Sequence, residues 1–330
     1  MFKEGDELEG LKLLKHCGSG GYGSVFYCRD ISGEKMAVKI ISKKQIGESW
    51  KQEFRGVSNY RKITESAKEL LQIFHVKSNE EYFYYTMEPA DSISTEFYLP
   101  DTLAARLKNG PLPQNELWPV LSQTFKGIKL IHDKGFTHRD IKPENILFIK
   151  GKPKLADIGL FSSLSVTVTK LAGTLDYIPP EVRSSPKMLD STDRGTRQRN
   201  DLYAFGMVIY CAVSGMDPEK FPSLPTTLEL TPLIKHFWHL SMGLCNRDLQ
   251  QRIVSVEDLQ KEFNRIGRSL QYGEDWLLEG NHIFDQFSRF MKSSFFRVGI
   301  WLSKYAWIVL LLIIITIYLS SRWTGLASTK

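Results

Sequence analysis

The stretch HRDIKPEN, residues 138 to 145, carries three kinds of polar group at fixed spacing. Asp140 offers a carboxylate that can accept a hydroxyl proton, or can orient the hydroxyl for in-line attack. Lys142 offers a cation that can neutralise a phosphoryl group during its transfer, and Asn145 offers a carbonyl oxygen to Mg²⁺. Each side chain alone is more often a cap or turn residue, so the assignment depends on what else the chain carries.

A glycine-rich stretch, GSGGYGSV, occupies residues 18 to 25. Its glycines let the backbone approach phosphates closely, and successive N–H groups can point at an anion. Plain hairpins and dinucleotide-binding loops also contain this pattern, but a dinucleotide loop requires a helix directly afterwards. Here the strand-like VFYCRD follows, and the AVK triplet then places Lys39 on the next strand but one. An ammonium group there can reach the α- and β-phosphates of a nucleotide.

Residues 157 to 159 read DIG, and Asp157 supplies a second metal ligand. A single aspartate is by default a helix cap or a turn residue. That default does not explain a glycine loop, a lysine, HRDxxxxN and DxG in this order in one chain. Because phosphoryl transfer depends mainly on positioning and charge neutralisation, these groups together are chemically sufficient for it.

The ordered series resembles that of the eukaryotic-like (Hanks-type) serine/threonine protein kinases, over roughly residues 8 to 266. The resemblance implies an α+β fold of two lobes, a small β-rich N-lobe over about 1–89 and a larger helical C-lobe over about 90–266. It implies ATP and Mg²⁺ as cofactors and protein substrates with Ser or Thr as acceptors. Lys142 in DIKPEN and Thr174 in the substrate-binding segment are typical of the serine/threonine branch.

The same resemblance assigns roles to individual residues. The catalytic residues would be Asp140, Lys142 and Asn145, and the metal ligands would be Asn145 and Asp157. The ATP-binding residues would be Gly18, Ser19, Gly20, Gly23, Val25, Ala37, Lys39, Glu88, Ala90 and Leu147. Backbone groups of Glu88 and Ala90, just after the gatekeeper position Met87, would meet the adenine ring, and Leu147 would form the floor of its pocket.

Further matches concern the C-lobe. GTLDYIPPE (173–181) resembles the end of the family's activation segment, and DLYAFG (201–206) resembles the start of its long central helix. The resemblance implies that Asp201 holds the backbone of the catalytic loop. It also implies that Arg252 pairs with Glu181.

The family places a glutamate on the N-lobe helix to orient the phosphate-binding lysine. In this chain the expected slot falls near Gly56, so no glutamate stands there. We expect Glu53, about one turn earlier, to pair with Lys39; Glu65 and Glu69 lie past the expected end of the helix. This departure leaves a pseudokinase scaffold as the alternative to an active enzyme. The presence of Lys39, Asp140, Asn145 and Asp157 together favours the enzyme.

The segment that follows Asp157 differs from the family at Ile158, which stands in place of the usual Phe. Isoleucine keeps an apolar side chain there and leaves the metal-binding carboxylate intact.

Arg139 precedes the catalytic aspartate, and in this family such an arginine commonly pairs with a phosphate on the activation loop. We expect Thr167 or Thr169 to carry that phosphate.

Composition limits the partners of the chain. The 330 residues carry a net charge of +6 and have a sequence pI near 8.9. No compact run of Lys and Arg is interleaved with aromatic residues, so we expect no nucleic-acid partner. The four cysteines are scattered, without a CxxC pair, which fits a reducing compartment and excludes a disulfide framework.

The C-terminal region differs from the rest of the chain. Residues 305–321 carry no charge, Lys304 and Arg322 flank them, and aromatic residues lie near both ends. Such flanks are typical of a bilayer interface, so this segment predicts a single transmembrane helix between a juxtamembrane segment, 267–304, and a tail, 322–330. We expect no outer sensor domain, because the nine residues of the tail are too few to fold.

Flanking charge predicts the orientation of this helix. Four basic residues precede it (Arg289, Lys292, Arg297 and Lys304), and two follow it (Arg322 and Lys330). Positive charge stays on the cytoplasmic side, so we expect a single-pass membrane protein with a cytoplasmic catalytic domain. The brief loops and the PDTL stretch (100–103) resemble bacterial members, which suggests a bacterial inner membrane. Confinement to a plane would favour self-association for trans-phosphorylation.

Overall fold

The computed structural model describes residues 2–20, 23–65, 67–157, 175–184 and 193–272. The N-terminal part of this region consists mainly of strands, and the C-terminal part consists mainly of helices. The α+β fold with a sheet-based N-lobe and a helical C-lobe, expected from the resemblance, is therefore confirmed.

One antiparallel sheet of six strands forms the N-lobe, in the order β1-β2-β3-β4-β6-β5. The strands are β1 (Glu7–Leu8), β2 (Leu11–Gly20), β3 (Gly23–Arg29), β4 (Lys35–Ser42), β5 (Ile73–Ser78) and β6 (Tyr82–Met87). Alternate side chains of each strand lie on opposite faces. One face buries Leu13, Phe26, Val38, Ile40 and Tyr84 in a hydrophobic cluster, which leaves the other face for a polar site.

A four-residue helix, α1 (Lys43–Ile46), and a longer one, α2 (Trp50–Thr64), follow β4. The ring of Phe54 on α2 meets Phe83 of β6 edge to face, with centroids 5.8 Å apart. Val57 and Tyr60 of α2 are also buried. These contacts hold α2 against the sheet, and Glu53 is buried with Val57, which lies one turn later on the same face of the helix.

The C-lobe contains the remaining helices among the described residues. They are α3 (Leu103–Leu107), α4 (Gln114–Asp133), α5 (Pro180–Arg183), α6 (Arg194–Ser214), α7 (Pro232–Leu244) and α8 (Val256–Tyr272). Helix α6 is buried from Asp201 to Ser214 and begins at Asp193, whose side chain accepts a hydrogen bond from the Thr196 N–H. A Cβ atom at Gly206 would lie 2.7 Å from Leu244, so glycine permits the close packing of α6 on α7.

A short hairpin of β7 (Ile146–Ile149) and β8 (Lys152–Leu155) lies at the start of the C-lobe. It follows the HRDIKPEN stretch and leads into Asp157. Because two hydrogen-bonded strands connect them, the two candidate catalytic segments are held at one end of a rigid hairpin.

None of the helices among the described residues is long and apolar enough to cross a membrane. The segment predicted to do so, 305–321, lies outside the described residues, as do its tail and the juxtamembrane segment from residue 273 onward. The predicted phosphorylation sites Thr167 and Thr169 also lie outside them, with Ile158 and Thr174. Helix α8 extends to Tyr272, six residues past the end of the domain expected at 266.

Candidate active site

The face of the N-lobe sheet opposite its hydrophobic cluster carries the predicted nucleotide residues. Val25 of β3 lies directly opposite Lys39 of β4, and Ala37 lies opposite Met87 of β6. Residues directly opposite in antiparallel strands share a face. The pairing therefore brings Val25, Ala37 and Lys39 to one surface.

The glycine-rich stretch ends β2 and begins β3, with Gly18 opposite Val25, Ser19 opposite Ser24 and Gly20 opposite Gly23. A Cβ atom at Gly23 would lie 2.3 Å from the Ile40 carbonyl oxygen, so another side chain cannot fit without moving β4. The requirement for glycine at position 23 is thus set by the neighbouring strand as well as by any phosphate. Residues 21 and 22 lie outside the described residues.

Lys39 makes a close ion pair with Asp157. Its Nζ lies 2.6 Å from Oδ1 and 2.7 Å from Oδ2 of that carboxylate. Desolvation opposes ionisation of Asp157, but the charge of Lys39 and hydrogen bonds from Lys39 and Tyr85 lower its pKa overall. The two groups predicted to hold the phosphates and the metal therefore neutralise each other in this structure.

Glu53 lies beside this pair without joining it. Its side chain is buried, and its Oε1 has no hydrogen-bond partner. Among the described residues no ion pair joins Glu53 to Lys39. Desolvation raises the pKa of Glu53 to about 8, against the lowering effect of Lys39, and the charge of Asp157 raises it further. The carboxyl is therefore protonated near pH 7, and its pairing with Lys39 stays a prediction.

Glu53→Gln is expected to remove part of the pH dependence of folding. Below pH 4.5, the ordinary pKa, both states hold the proton of Glu53; between pH 4.5 and about 8 only the folded state does. The wild-type free energy of unfolding therefore falls as pH rises through this range, by at most about 1.4 kcal/mol per unit for one proton. Glutamine does not titrate, so the variant should gain stability relative to wild type up to about pH 8.

Urea unfolding of the full chain in mild detergent, from pH 4 to 9, measures this difference. Glu65→Gln provides the control, because Glu65 is exposed and forms a long ion pair with Arg61, at 3.9 Å. A variant-minus-wild-type difference that stays constant over this range would show that Glu53 titrates normally.

The catalytic candidates in HRDIKPEN form one bonded cluster. Lys142 Nζ lies 2.9 Å from Asp140 Oδ1. Asn145 Nδ2 donates to the Asp140 carbonyl oxygen at 2.7 Å and to Asp140 Oδ2 at 2.9 Å. These bonds engage the amide nitrogen of Asn145, so its carbonyl oxygen is the atom suited to a metal.

The backbone of this loop is fastened to helix α6. Asp201 accepts hydrogen bonds from the N–H groups of His138 and Arg139, both at 2.7 Å, and from His132 Nε2 at 2.8 Å. The expectation that Asp201 holds the loop is confirmed. Arg139 has a φ of +69°, a conformation unfavourable for a residue with a Cβ, so these bonds stabilise a strained turn.

His138 connects the two catalytic segments, which the sequence did not reveal. It is fully buried; its Nε2 donates to the Ala156 carbonyl at 2.9 Å, and its Nδ1 accepts from the Asp140 N–H at 3.3 Å. Desolvation lowers the pKa of His138, against the charges of Asp201 and Asp140. A neutral ring with one donor and one acceptor thus ties the segment before Asp157 to Asp140.

Glu181 and Arg252 form the two-bond ion pair expected in the C-lobe. Arg252 Nη1 donates to Glu181 Oε1 at 2.6 Å, and Nη2 donates to Oε2 at 3.1 Å. The Arg252 side chain is buried, so this pair fixes Glu181 to the segment that precedes α8. Its role is structural.

The predicted adenine contacts lie after β6. The Glu88 side chain bonds Lys154 Nζ at 2.6 Å, and the Ala90 carbonyl accepts from the Tyr98 hydroxyl at 3.0 Å. Tyr98 stacks on Tyr27 of β3, with centroids 3.8 Å apart. The sequence did not predict this stack, which joins β3 to the segment after β6.

The oxygen atoms of the predicted metal ligands, Asp157 and Asn145, suit Mg²⁺. This ion usually binds one or two carboxylates and completes its coordination shell with substrate phosphates and water. Asp157 and Asn145 supply a carboxylate and a side-chain amide oxygen from adjacent segments, since the Ala156 N–H donates to the backbone carbonyl of Asn145 at 2.8 Å. No group of three or more His, Cys, Asp or Glu that could hold a metal occurs among the described residues. A carboxylate and an amide oxygen are a donor pair that fits a metal bound together with a nucleotide.

Tyr85 is a further site residue that the sequence prediction missed. It lies directly opposite Lys39, and its hydroxyl donates to Asp157 Oδ1 at 3.2 Å. Strand alternation contained the signal, because Tyr85 stands two residues before Met87 and so shares its face. The alternation did not show that the hydroxyl meets Asp157, 72 residues away.

Comparison with known proteins gives two results. A family model described as "Protein kinase domain" matches residues 11–262. Among curated proteins, serine/threonine-protein kinase pkn2 of Myxococcus xanthus is 29% identical over 64% of this chain and 25% of its own length. Serine/threonine-protein kinase cds1 of Schizosaccharomyces pombe is 28% identical over 66% of this chain and 48% of its own length. The matches thus cover between a quarter and about half of these relatives.

Proposed function

This chain belongs to the protein kinase family, and from that premise we propose that it transfers the γ-phosphoryl group of ATP to Ser or Thr hydroxyls of protein substrates. The observation that carries the proposal is the bonded cluster of Asp140, Lys142 and Asn145. His138 links this cluster to the segment that bears Asp157. Serine/threonine kinases among the relatives support the same acceptor class.

Each residue has a defined task in this proposal. Asp140 accepts or orients the substrate hydroxyl, and Lys142 stabilises the charge of the transferring group. Asn145 and Asp157 would hold Mg²⁺, which supplies neutralisation of phosphate charge when it is bound with ATP. In this proposal Lys39 turns from Asp157 towards the phosphates when a nucleotide binds, which releases both carboxylate oxygens that its Nζ now contacts at 2.6 and 2.7 Å.

A pseudokinase scaffold on a membrane is the second candidate. The Lys39–Asp157 pair favours it, since this pair occupies both the phosphate-binding cation and the metal-binding carboxylate. Glu53, the partner expected to draw Lys39 away, is protonated near pH 7 because its pKa is raised to about 8. The enzyme is preferred because the side chains needed for transfer are all present, and a salt bridge is reversible.

Transfer of radiolabel from γ-³²P-ATP separates the two candidates. The purified full chain is incubated with Mg²⁺ and casein, and the labelled amino acids are identified after acid hydrolysis. Phosphoserine or phosphothreonine that forms with Mg²⁺ and is absent with EDTA supports the enzyme. If Mg·ATP binds but neither casein nor the chain itself becomes labelled, the result supports the scaffold.

We also propose phosphorylation of Thr167 or Thr169 as the regulatory event. A phosphate there would form charge-assisted hydrogen bonds with Arg139 and order the loop. Mass spectrometry of the active protein tests this idea. A fully active preparation without phosphate anywhere between residues 157 and 181 would exclude it.

We propose that residues 305–321 anchor the protein in a membrane, with the catalytic domain in the cytoplasm. The support is the uncharged apolar run and the excess of basic residues that precede it. An anchor concentrates molecules in a plane and so raises the effective concentration for trans-phosphorylation.

Deletion of residues 298–330 is expected to release the protein from membranes without changing catalytic chemistry. At equal total protein the truncated chain should phosphorylate itself at least several-fold more slowly than the full chain in vesicles, because its molecules are no longer confined to a plane. Sedimentation after a carbonate wash and a label-incorporation time course measure both effects. A truncated chain that still sediments with membranes would refute the anchor.

A further inference from the structure

The rear of the candidate site contains a buried hydroxyl that the mechanism above does not use. Tyr85 of β6 is 5% exposed, and its hydroxyl donates to Asp157 Oδ1 at 3.2 Å. The register of β4 and β6 places it opposite Lys39, so both side chains approach the same carboxylate from neighbouring strands. Asp157 is thereby held by a cation and by a neutral donor.

These two donors differ in what happens when a nucleotide binds. Under the proposed function Lys39 turns to the phosphates and its bonds to Asp157 are lost. Tyr85 has no such second task, and its ring is buried in the sheet, so its position does not depend on the nucleotide. The hydroxyl can therefore keep one oxygen of Asp157 in place after the ammonium has left.

The surroundings keep Tyr85 a donor. Desolvation raises its pKa well above the ordinary value, and the charge of Asp157 and their hydrogen bond raise it further. Tyr60 on α2 is also buried and has no hydrogen-bond partner for its hydroxyl, and Glu53 Oε1 has none either. The Tyr85 hydroxyl therefore donates to Asp157, while the buried Glu53 Oε1 and the Tyr60 hydroxyl have no hydrogen-bond partner.

Tyr84, the residue before Tyr85, lies on the opposite face of the sheet. Its hydroxyl donates to Glu9 Oε2 at 2.8 Å, at the edge of the hydrophobic cluster of the sheet. The chain therefore has two adjacent tyrosines, each bonded to a carboxylate, of which one carboxylate is a predicted metal ligand. This pair allows a matched comparison.

We propose that Tyr85 is a positioning residue for the metal-binding carboxylate: its hydroxyl holds Asp157 in orientation for Mg²⁺ while Lys39 contacts the phosphates. The proposal rests on the proposed function only for the identity of the metal and the nucleotide. It adds a residue from the sheet to the groups that prepare the metal site.

Tyr85→Phe removes the hydroxyl and keeps the ring. In the full chain, binding of a fluorescent ATP analogue is titrated with Mg²⁺, and turnover is measured separately. The variant should need about tenfold more Mg²⁺ for half-maximal nucleotide binding, since a hydrogen bond to a charged group is lost. Nucleotide affinity in EDTA should change little, because the metal is absent, and the melting temperature should fall by only a few degrees, because one hydrogen bond is lost and the packing of the ring is retained.

Tyr84→Phe is the matched control and should leave the Mg²⁺ requirement at the wild-type value. If Tyr85→Phe has the wild-type requirement, or if nucleotide binding by the wild type does not respond to Mg²⁺, the positioning role is refuted. A shifted Mg²⁺ requirement together with an absence of phosphoryl transfer in the wild type would refute the proposed enzyme and retain the role of Tyr85.

Discussion

Asp140→Asn is expected to reduce phosphoryl transfer by about 10²–10⁴-fold, the usual contribution of a positioned acid–base group. The substitution removes the carboxylate that accepts or orients the substrate hydroxyl. Its Lys142 and Asn145 contacts lie within the catalytic loop, and none joins it to the glycine-rich stretch or to Lys39. Nucleotide affinity should therefore remain within a few-fold of wild type.

Single-turnover transfer from γ-³²P-ATP measures the rate, and titration with a fluorescent ATP analogue measures the affinity. Asp133→Asn is the control, because Asp133 is exposed at the end of α4 and pairs with Lys129 across one helical turn. Full turnover by Asp140→Asn on casein would show that another group orients the hydroxyl.

Asp157→Ala is expected to weaken Mg²⁺-dependent ATP binding by about 100-fold, the upper end for loss of a bond to a charged group, and to abolish measurable transfer. It removes a proposed metal ligand together with the partner of Lys39. In EDTA the affinity for ATP should change much less, and it can rise, because Lys39 is then released from its ion pair and can contact the phosphates.

The comparison of affinities with Mg²⁺ and in EDTA distinguishes a metal ligand from a residue that merely supports the fold. Asp133→Ala is the matched surface control. Thermal unfolding in the absence of nucleotide reports the cost of leaving Lys39, 8% exposed, without Asp157. Equal losses of affinity with and without Mg²⁺ would contradict the assignment of Asp157 to the metal.

Much of the fold could be predicted from local patterns. The alternation of apolar and polar residues over 8–41, around the glycines, favours a strand, a turn and two further strands, and β2, β3 and β4 lie there in that order. The stretch SWKQEFRGVSNYRK (49–62) by itself favours a helix, and α2 spans Trp50–Thr64. Such elements depend on periodicity and turn chemistry within a few residues, which a sequence shows directly.

Several long-range contacts were also predictable, but only through the family resemblance. Asp201 holds the loop before Asp140, and Arg252 pairs with Glu181, 71 residues away. Neither spacing has a periodicity that would indicate contact. The resemblance supplied the topology, and the structure then placed the expected partners together.

The sequence by itself determined which chemical groups are present, because HRDIKPEN, DIG, the glycines and Lys39 are local patterns whose chemistry is independent of partners. The tertiary structure alone decided how these groups are paired. It placed Lys39 on Asp157, left Glu53 buried beside them with a raised pKa, and brought the Tyr85 hydroxyl to the same carboxylate. Pairing depends on the register of β4 with β6 and on the packing of α2. The register and the packing are both set by contacts between residues that lie far apart in the sequence. Burial makes an ionic or hydrogen-bonding partner necessary, but it does not specify which partner the side chain reaches.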